Sequence, residues 1–176
     1  MKKEELAKLL QDNHEQLIEL IRKLSDVDFC YTPDGKWSAA QQLDHLVRSV
    51  SPVNMALGIP KFILKWRFGK ANRPSKTYEA LIEKYTNKLK EGGRASGRFI
   101  PPIVHADQKE KLTNQLAQLV KKLSSKTKNN SEVVLDKYIL PHPLLGKLTL
   151  REMLYFTAYH VVHHQQLVEK GLRELK

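Results

Sequence analysis

Four stretches of the chain repeat their apolar residues at helical intervals, and two of them open on a capping box. This combination constrains the fold more than any other feature. A helix with one apolar stripe must bury it, and here the other stripes are the available partners. Over residues 3–24 the stripe is Leu6, Leu9, Leu10, Leu17, Leu20, Ile21 and Leu24. The second helix opens on Ser38-Ala39-Ala40-Gln41: the Ser38 oxygen accepts an amide hydrogen bond while Gln41 reaches back. Ala39, Leu43, Leu46, Val50 and Val53 form its stripe, and Pro52 is expected to bend or interrupt it. Residues 107–123 align Leu112, Leu116, Leu119, Val120 and Leu123. Thr149-Leu150-Arg151-Glu152 opens the last helix, expected to run to Lys170 with Gly171 just past its end. The expected fold class is all-α, a four-helix bundle formed by residues 1–176 as one domain.

The connecting segments are less regular. "DVDFCYTPDGKW" is a loop by its Pro33 and Asp34-Gly35, and "ANRPS", "RASGRFIPP" and "SSKTKNNSE" also read as loops or irregular chain. "TYEALIEKYTNKLKEGG" reads as a helix ending at Gly92-Gly93, which places an extra helical segment in a long crossover between the second and third main helices. "VVLDKYILPHPLLGKL" has room for a short extended piece, limited by Pro141 and Pro143. The apolar, basic "MALGIPKFILKWRFGK" fits no pattern cleanly.

A hydrophobic content of 41% excludes wholesale disorder. No apolar run approaches the ~20 residues of a membrane span. The charged, periodic N-terminal stretch does not resemble a signal peptide, and the single Cys30 has no partner for an internal disulfide. Together these lead us to expect a cytoplasmic protein. The net charge is +11, and residues 61–98 hold eleven Lys/Arg against three Glu, a local surplus of +8. Such a segment is either an anion-binding surface or a solvated lysine-rich face. No nucleic-acid motif accompanies it.

The histidines carry the chemistry. "YHVVHHQQL" puts His160, His163 and His164 near the end of the last helix. His160 and His164 are spaced i, i+4, on the line of Met153, Phe156 and Leu167, so both rings turn into the bundle. His163 turns away. Two imidazoles so spaced can converge on one cation, or each can be satisfied by a carbonyl or carboxylate. His45 lies in the middle of the second helix, about 120° from the centre of its apolar stripe. A residue on that flank meets a ligand only near the mouth or edge of a bundle. His14 sits among polar neighbours on the first helix, and His105 and His142 lie near prolines.

"KWSAAQQLDHL", followed far downstream by "HPLLGKLTLREMLYFTAYHVVHHQQL", resembles the DinB-like (YfiT-like) family of four-helix metalloproteins. The shared features are a Trp-Ser helix start, a histidine seven residues after that serine, and H-x-x-x-H on the last helix. The resemblance implies an up-down-down-up bundle, often dimeric, with one metal bound by His45, His160 and His164. It also implies kinship with transferases and isomerases that use low-molecular-weight thiols.

Three histidine nitrogens leave open positions on an ion, as in a catalytic rather than a structural site. Zinc is the first expectation, with nickel, manganese or iron as alternatives. The ion would stabilise a thiolate or acidify water. Gln41, Gln165 and Gln166 could orient the ligands or the substrate, or be ordinary helix surface. Asp44 and Glu169 read as solvated charges, Tyr159 as a rim aromatic or proton donor, and Ser38 as a cap. "KFILKWRFGK" interleaves aromatics with cations as a membrane-surface or single-strand binder would. It is expected instead to be a lid or packing segment whose charge favours anionic substrates. Two functions of different classes follow. The leading one is a metal-dependent enzyme, a small-thiol S-transferase working as a homodimer on a small molecule, with an anionic one among the options. The other is a non-catalytic basic protein that binds nucleic acid or another anion.

Overall fold

The fold is known from a computed structural model that describes residues 1–32 and 34–175; Pro33 lies outside the described residues. Ten regular elements follow in chain order. They are α1 (Lys3–Lys23), α2 (Asp26–Cys30), α3 (Ala39–Gly58), α4 (Lys61–Phe68), α5 (Tyr78–Lys90), α6 (Lys109–Asn129), α7 (Glu132–Lys137), β1 (Ile139–His142), β2 (Gly146–Thr149) and α8 (Leu150–Arg173). Both capping boxes are made: Ser38 Oγ accepts from Gln41 N, Thr149 Oγ1 accepts from Glu152 N, and each N3 side chain returns the bond.

The four long helices are α1, α3, α6 and α8, and α1 and α3 each pack on α6 and α8. Side-chain bonds give the directions. Lys3 meets Lys128 and Asn130 while Lys109 meets Leu24, so α1 and α6 are antiparallel. Asn13 donates to Ala158 O, and Arg151 near the start of α8 reaches Met1 O, so α1 and α8 are parallel. Gln42 at the start of α3 meets His164 late in α8, and Lys36 just before α3 meets Glu174 just after α8, so α3 is antiparallel to α8 and therefore parallel to α6, on which it packs through Asn54 and Lys126. The path is up-down-down-up, with the crossover between α3 and α6 containing α4, α5 and two short 3-10 turns.

Several sequence expectations need correction. Pro52 does not interrupt α3; Val50, Val53 and Leu57 bury the face around it, and that packing outweighs one lost backbone bond. "SSKTKN" is not a loop but the end of α6. Its small hydroxyls continue the buried stripe: Ser124 donates to Ala7 O and Thr127 to Leu123 O, so neither is left unsatisfied. Gly171 lies inside α8, which runs on to Arg173. "VVLDK" is helical (α7), and only the residues after it are extended, as the β1–β2 hairpin pairing Ile139 with Thr149 and His142 with Gly146. The loop after α1 contains the short α2, capped by Ser25. α5 does end as expected, with Gly92 at φ +90° taking the left-handed turn.

His14 is also not where its polar neighbours suggested. It is fully buried, its Nδ1–H donates to Leu10 O at 2.7 Å, and its Nε2 has no partner. Burial lowers its pKa to about 4 from an ordinary 6.5, against the opposing pull of the Leu10 carbonyl. Because the folded value lies below the unfolded one, the neutral ring's contribution is complete above pH 6.5 and is lost as the pH falls toward about 4. The shift corresponds to roughly 3 kcal/mol across that window. His14→Leu, which removes the orphan nitrogen, is expected to match the wild type within about 1 kcal/mol at pH 7. Below pH 5 it should be the more stable of the two, and urea melts of both proteins at the two pH values check this.

Candidate metal centre

α3 and α8 run antiparallel, so the start of one faces the end of the other. That places His45, on the second turn of α3, opposite His160 and His164 on α8. One ring nitrogen from each of the three lies within 4.8 Å of the others, and all three residues are buried. His160 Nε2 is 3.3 Å from His45 Nε2 and 2.9 Å from His164 Nε2. Tetrahedral zinc with Zn–N bonds of ~2.0–2.1 Å spaces its nitrogens by about 3.3 Å.

The outer nitrogens set the tautomers. His45 Nδ1–H donates to Phe99 O at 2.6 Å, and His164 Nδ1–H donates to the Gln42 side-chain oxygen. Both rings therefore turn an Nε2 lone pair toward the third histidine. Bare lone pairs this close repel, and a single proton on His160 relieves only one contact. The donor set fits one divalent cation, which satisfies all three at once.

Electrostatics keep the rings neutral. Burial, and then the neighbouring histidines, hold His160 and His164 well below the ordinary histidine range. His45 is lowered by burial, against the opposing Phe99 carbonyl. Neutral imidazole is the form that ligates a metal.

The cluster lies in the wall of a cavity of about 800 Å³. Trp37, Met153 and Phe156 supply apolar wall, with the Phe156 ring stacked 4.6 Å from His160. Tyr85, from α5, packs edge-on against Phe156 and His160, and burial raises its hydroxyl pKa. Lys36, Arg94, Arg98 and Lys170 also line the cavity, whereas no Asp or Glu does among the described residues. His142 enters from the hairpin. Its Nδ1 accepts from the Leu144 and Leu145 amides at 3.1 Å each, so its proton sits on Nε2.

The structure thus brings together the three histidines singled out in the sequence. His163 lies beside them, half-buried, its ring 5.8 Å from Tyr85. The glutamines sort differently. Gln41 is occupied by the Ser38 cap and the Pro102 carbonyl, Gln165 pairs with Glu169, and Gln166 is exposed. The glutamine that touches a site histidine is Gln42. The capping box already carried the signal, because a Gln41 side chain bound to Ser38 is not free to face a ligand. Asp44 is not a solvated charge; it is buried and paired with Arg48. His142 and the Phe99 carbonyl had no sequence signal, since a hairpin turn and a folded-back crossover bring them in.

An up-down-down-up helical bundle with three histidines converging between α3 and α8 defines a class of fold and site able to coordinate a divalent ion. The chain belongs to the DinB superfamily, whose family model matches residues 9–168. Among solved structures it is similar to YfiT from Bacillus subtilis, described as a probable metal-dependent hydrolase with an unusual four-helix bundle topology. The two share 19% identity over 98% of this chain and 87% of that one, with a TM-score of 0.64, a likeness of fold. No curated protein matches the chain.

Proposed function

We propose that the chain is a metal-dependent enzyme in which His45, His160 and His164 hold one divalent ion, and that it transfers groups to or from the sulfur of a small thiol. The observation that carries this is the triad's place in a cavity wall to which no Asp or Glu among the described residues contributes. An ion bound there supplies Lewis acidity and acidifies a coordinated thiol or water. A thiol starts near pKa 8.5 and water near 15.7, so the thiol needs far less help. Helical zinc sites that activate water commonly add a glutamate base, and among the described residues none lines the cavity.

The chain's own groups do the rest. Gln42 and the Phe99 carbonyl hold two ligand rings in register. Trp37, Met153 and Phe156 give the triad an apolar surround, and His142 offers a neutral N–H donor. Arg94, Arg98 and Lys170 favour an anionic substrate. Zinc suits the donor set first; nickel, manganese and iron are alternatives that imidazole accepts. A homodimer is part of the proposal on the strength of the family resemblance.

The name of YfiT makes water the competing nucleophile. Metal-loaded protein should therefore be assayed with a chromogenic electrophile, with and without cysteine as the thiol. Turnover that requires the thiol is expected. Equal turnover without it would replace the transferase by a hydrolase. Failure to take up metal, with salt-sensitive oligonucleotide binding, would favour the non-catalytic basic protein.

A further inference from the structure

The segment "KFILKWRF" forms α4, and its outward face is unlike the rest of the surface. Leu64 is buried and α4 packs on β1. On the opposite side Phe62 is 73% and Trp66 83% exposed, with Ile63 beside them. The expectation of a packing segment therefore holds only for the Leu64 side.

The arrangement around the helix is specific. With Phe62 at zero, Trp66 lies at about 40° and Ile63 at about 100°, while Lys65 stands at about −60° and Arg67 at about 140°. An apolar stripe is thus flanked on each side by a cation. Lys70 continues the charge, and Lys137 joins it because Ala71 N bonds Lys137 O at 2.8 Å. The Lys70 ammonium is pulled below its ordinary range by Lys137 first and then Lys65, which shows how uncompensated these charges are. Residues 45–78 contain no Asp or Glu. Among the described residues Lys65, Arg67 and Lys70 have no acidic partner. The nearby carboxylates of Glu132 and Asp136 are held by Arg151.

We propose that α4 is an interfacial helix that seats the protein on an anionic phospholipid bilayer, with Phe62, Ile63 and Trp66 entering the headgroup boundary and Lys65, Arg67, Lys70 and Lys137 meeting lipid phosphates. Apolar and aromatic side chains between flanking cations are the composition that such a boundary binds. A second copy of the chain fits poorly, because a twofold contact sets each copy's Lys65 and Arg67 against like charges. A nucleic-acid strand is stacked within a charged groove, whereas these rings project into solvent. The site stands apart from the metal triad, yet Ile59, which caps α3 just ahead of α4, and Phe68, the last residue of α4, line the cavity. Seating on a bilayer would therefore place the cavity beside the lipid.

The test is co-sedimentation of the full chain with vesicles of equal parts phosphatidylglycerol and phosphatidylcholine, and with pure phosphatidylcholine. The protein is expected to pellet with the first and not the second, with a blue shift of Trp66 emission, and to be released by high salt. F62S/W66S and K65E/R67E should each weaken the association by about tenfold or more. The altered residues are solvent-facing, so thermal melts of both variants should match the wild type. No pelleting with the mixed vesicles at low salt overturns the proposal, as does undiminished pelleting of F62S/W66S. Single-strand oligonucleotide binding lost in that variant, without vesicle binding, would reassign the face to nucleic acid. Self-association lost in the same variant, again without vesicle binding, would reassign it to a second copy.

Discussion

Metal affinity is expected to fall by more than about a hundredfold when His160 is replaced by alanine. His160 Nε2 is the central atom of the cluster, close to the Nε2 atoms of both other rings. Its removal leaves His45 and His164 without a third donor and opens a gap beside Phe156. Gln42→Ala keeps all three donors but frees the His164 ring to turn, so a loss of about 10–100-fold is expected. His163→Ala should stay within about threefold, because that side chain packs on Tyr85 and its nitrogen is not among the converging three. Competition against a chromophoric chelator gives the three affinities directly. Equal affinity in the wild type and His160→Ala, or a loss confined to His163→Ala, would show that other residues hold the ion.

Glu152→Ala is expected to destabilise the fold by about 3 kcal/mol, with metal content unchanged in the fraction that remains folded. The Glu152 carboxylate is fully buried and accepts four hydrogen bonds. Two come from the Arg73 guanidinium, at 2.6 and 2.9 Å, and two from the Lys76 and Thr149 amides, at 2.8 Å each. Burial raises its pKa, but the Arg73 bonds and the amides outweigh that and hold it below the usual carboxylate range. Truncation leaves two amides without an acceptor and the Arg73 guanidinium with only the Pro74 carbonyl, and it also breaks the α8 capping box. Arg73→Ala should cost less, about 1–2 kcal/mol, because the two amides keep their acceptor. Urea denaturation of both single variants and the double variant measures the coupling, and additive effects would mean that the ion pair contributes nothing.

The capping boxes and apolar stripes made the long helices legible, and the i, i+4 pair on the last one made two site histidines legible. His45 was harder. Its flank position pointed to the edge of a bundle, yet it is buried. The crossover folds back, and the turn Gly97–Phe99 covers that flank with a carbonyl that binds the ring. Helical periodicity describes which face packs on the bundle; it carries no information about a long connection returning from far along the chain. The misread end of α6 has a related cause. Ser124 and Thr127 count as polar in any pattern, but in a helix their hydroxyls bond backbone carbonyls and can be buried like alanine.

The up-down-down-up path has a consequence for how the molecule assembles. α1 and α3, joined through α2, lie diagonally across the bundle, and so do α6 and α8. The consecutive long helices that do pack side by side, α3 and α6, are separated by the whole crossover. No helical hairpin with a short connection is therefore available as an early nucleus, and chain closure over long separations must precede most of the burial. This helical bundle should fold with the kinetics of a higher contact-order protein. His45 and His160, separated by 115 positions, meet only when α8 docks. The two sides of the triad are thus supplied by helices far apart in the chain, so the cluster exists only in the assembled bundle and reports on its completion.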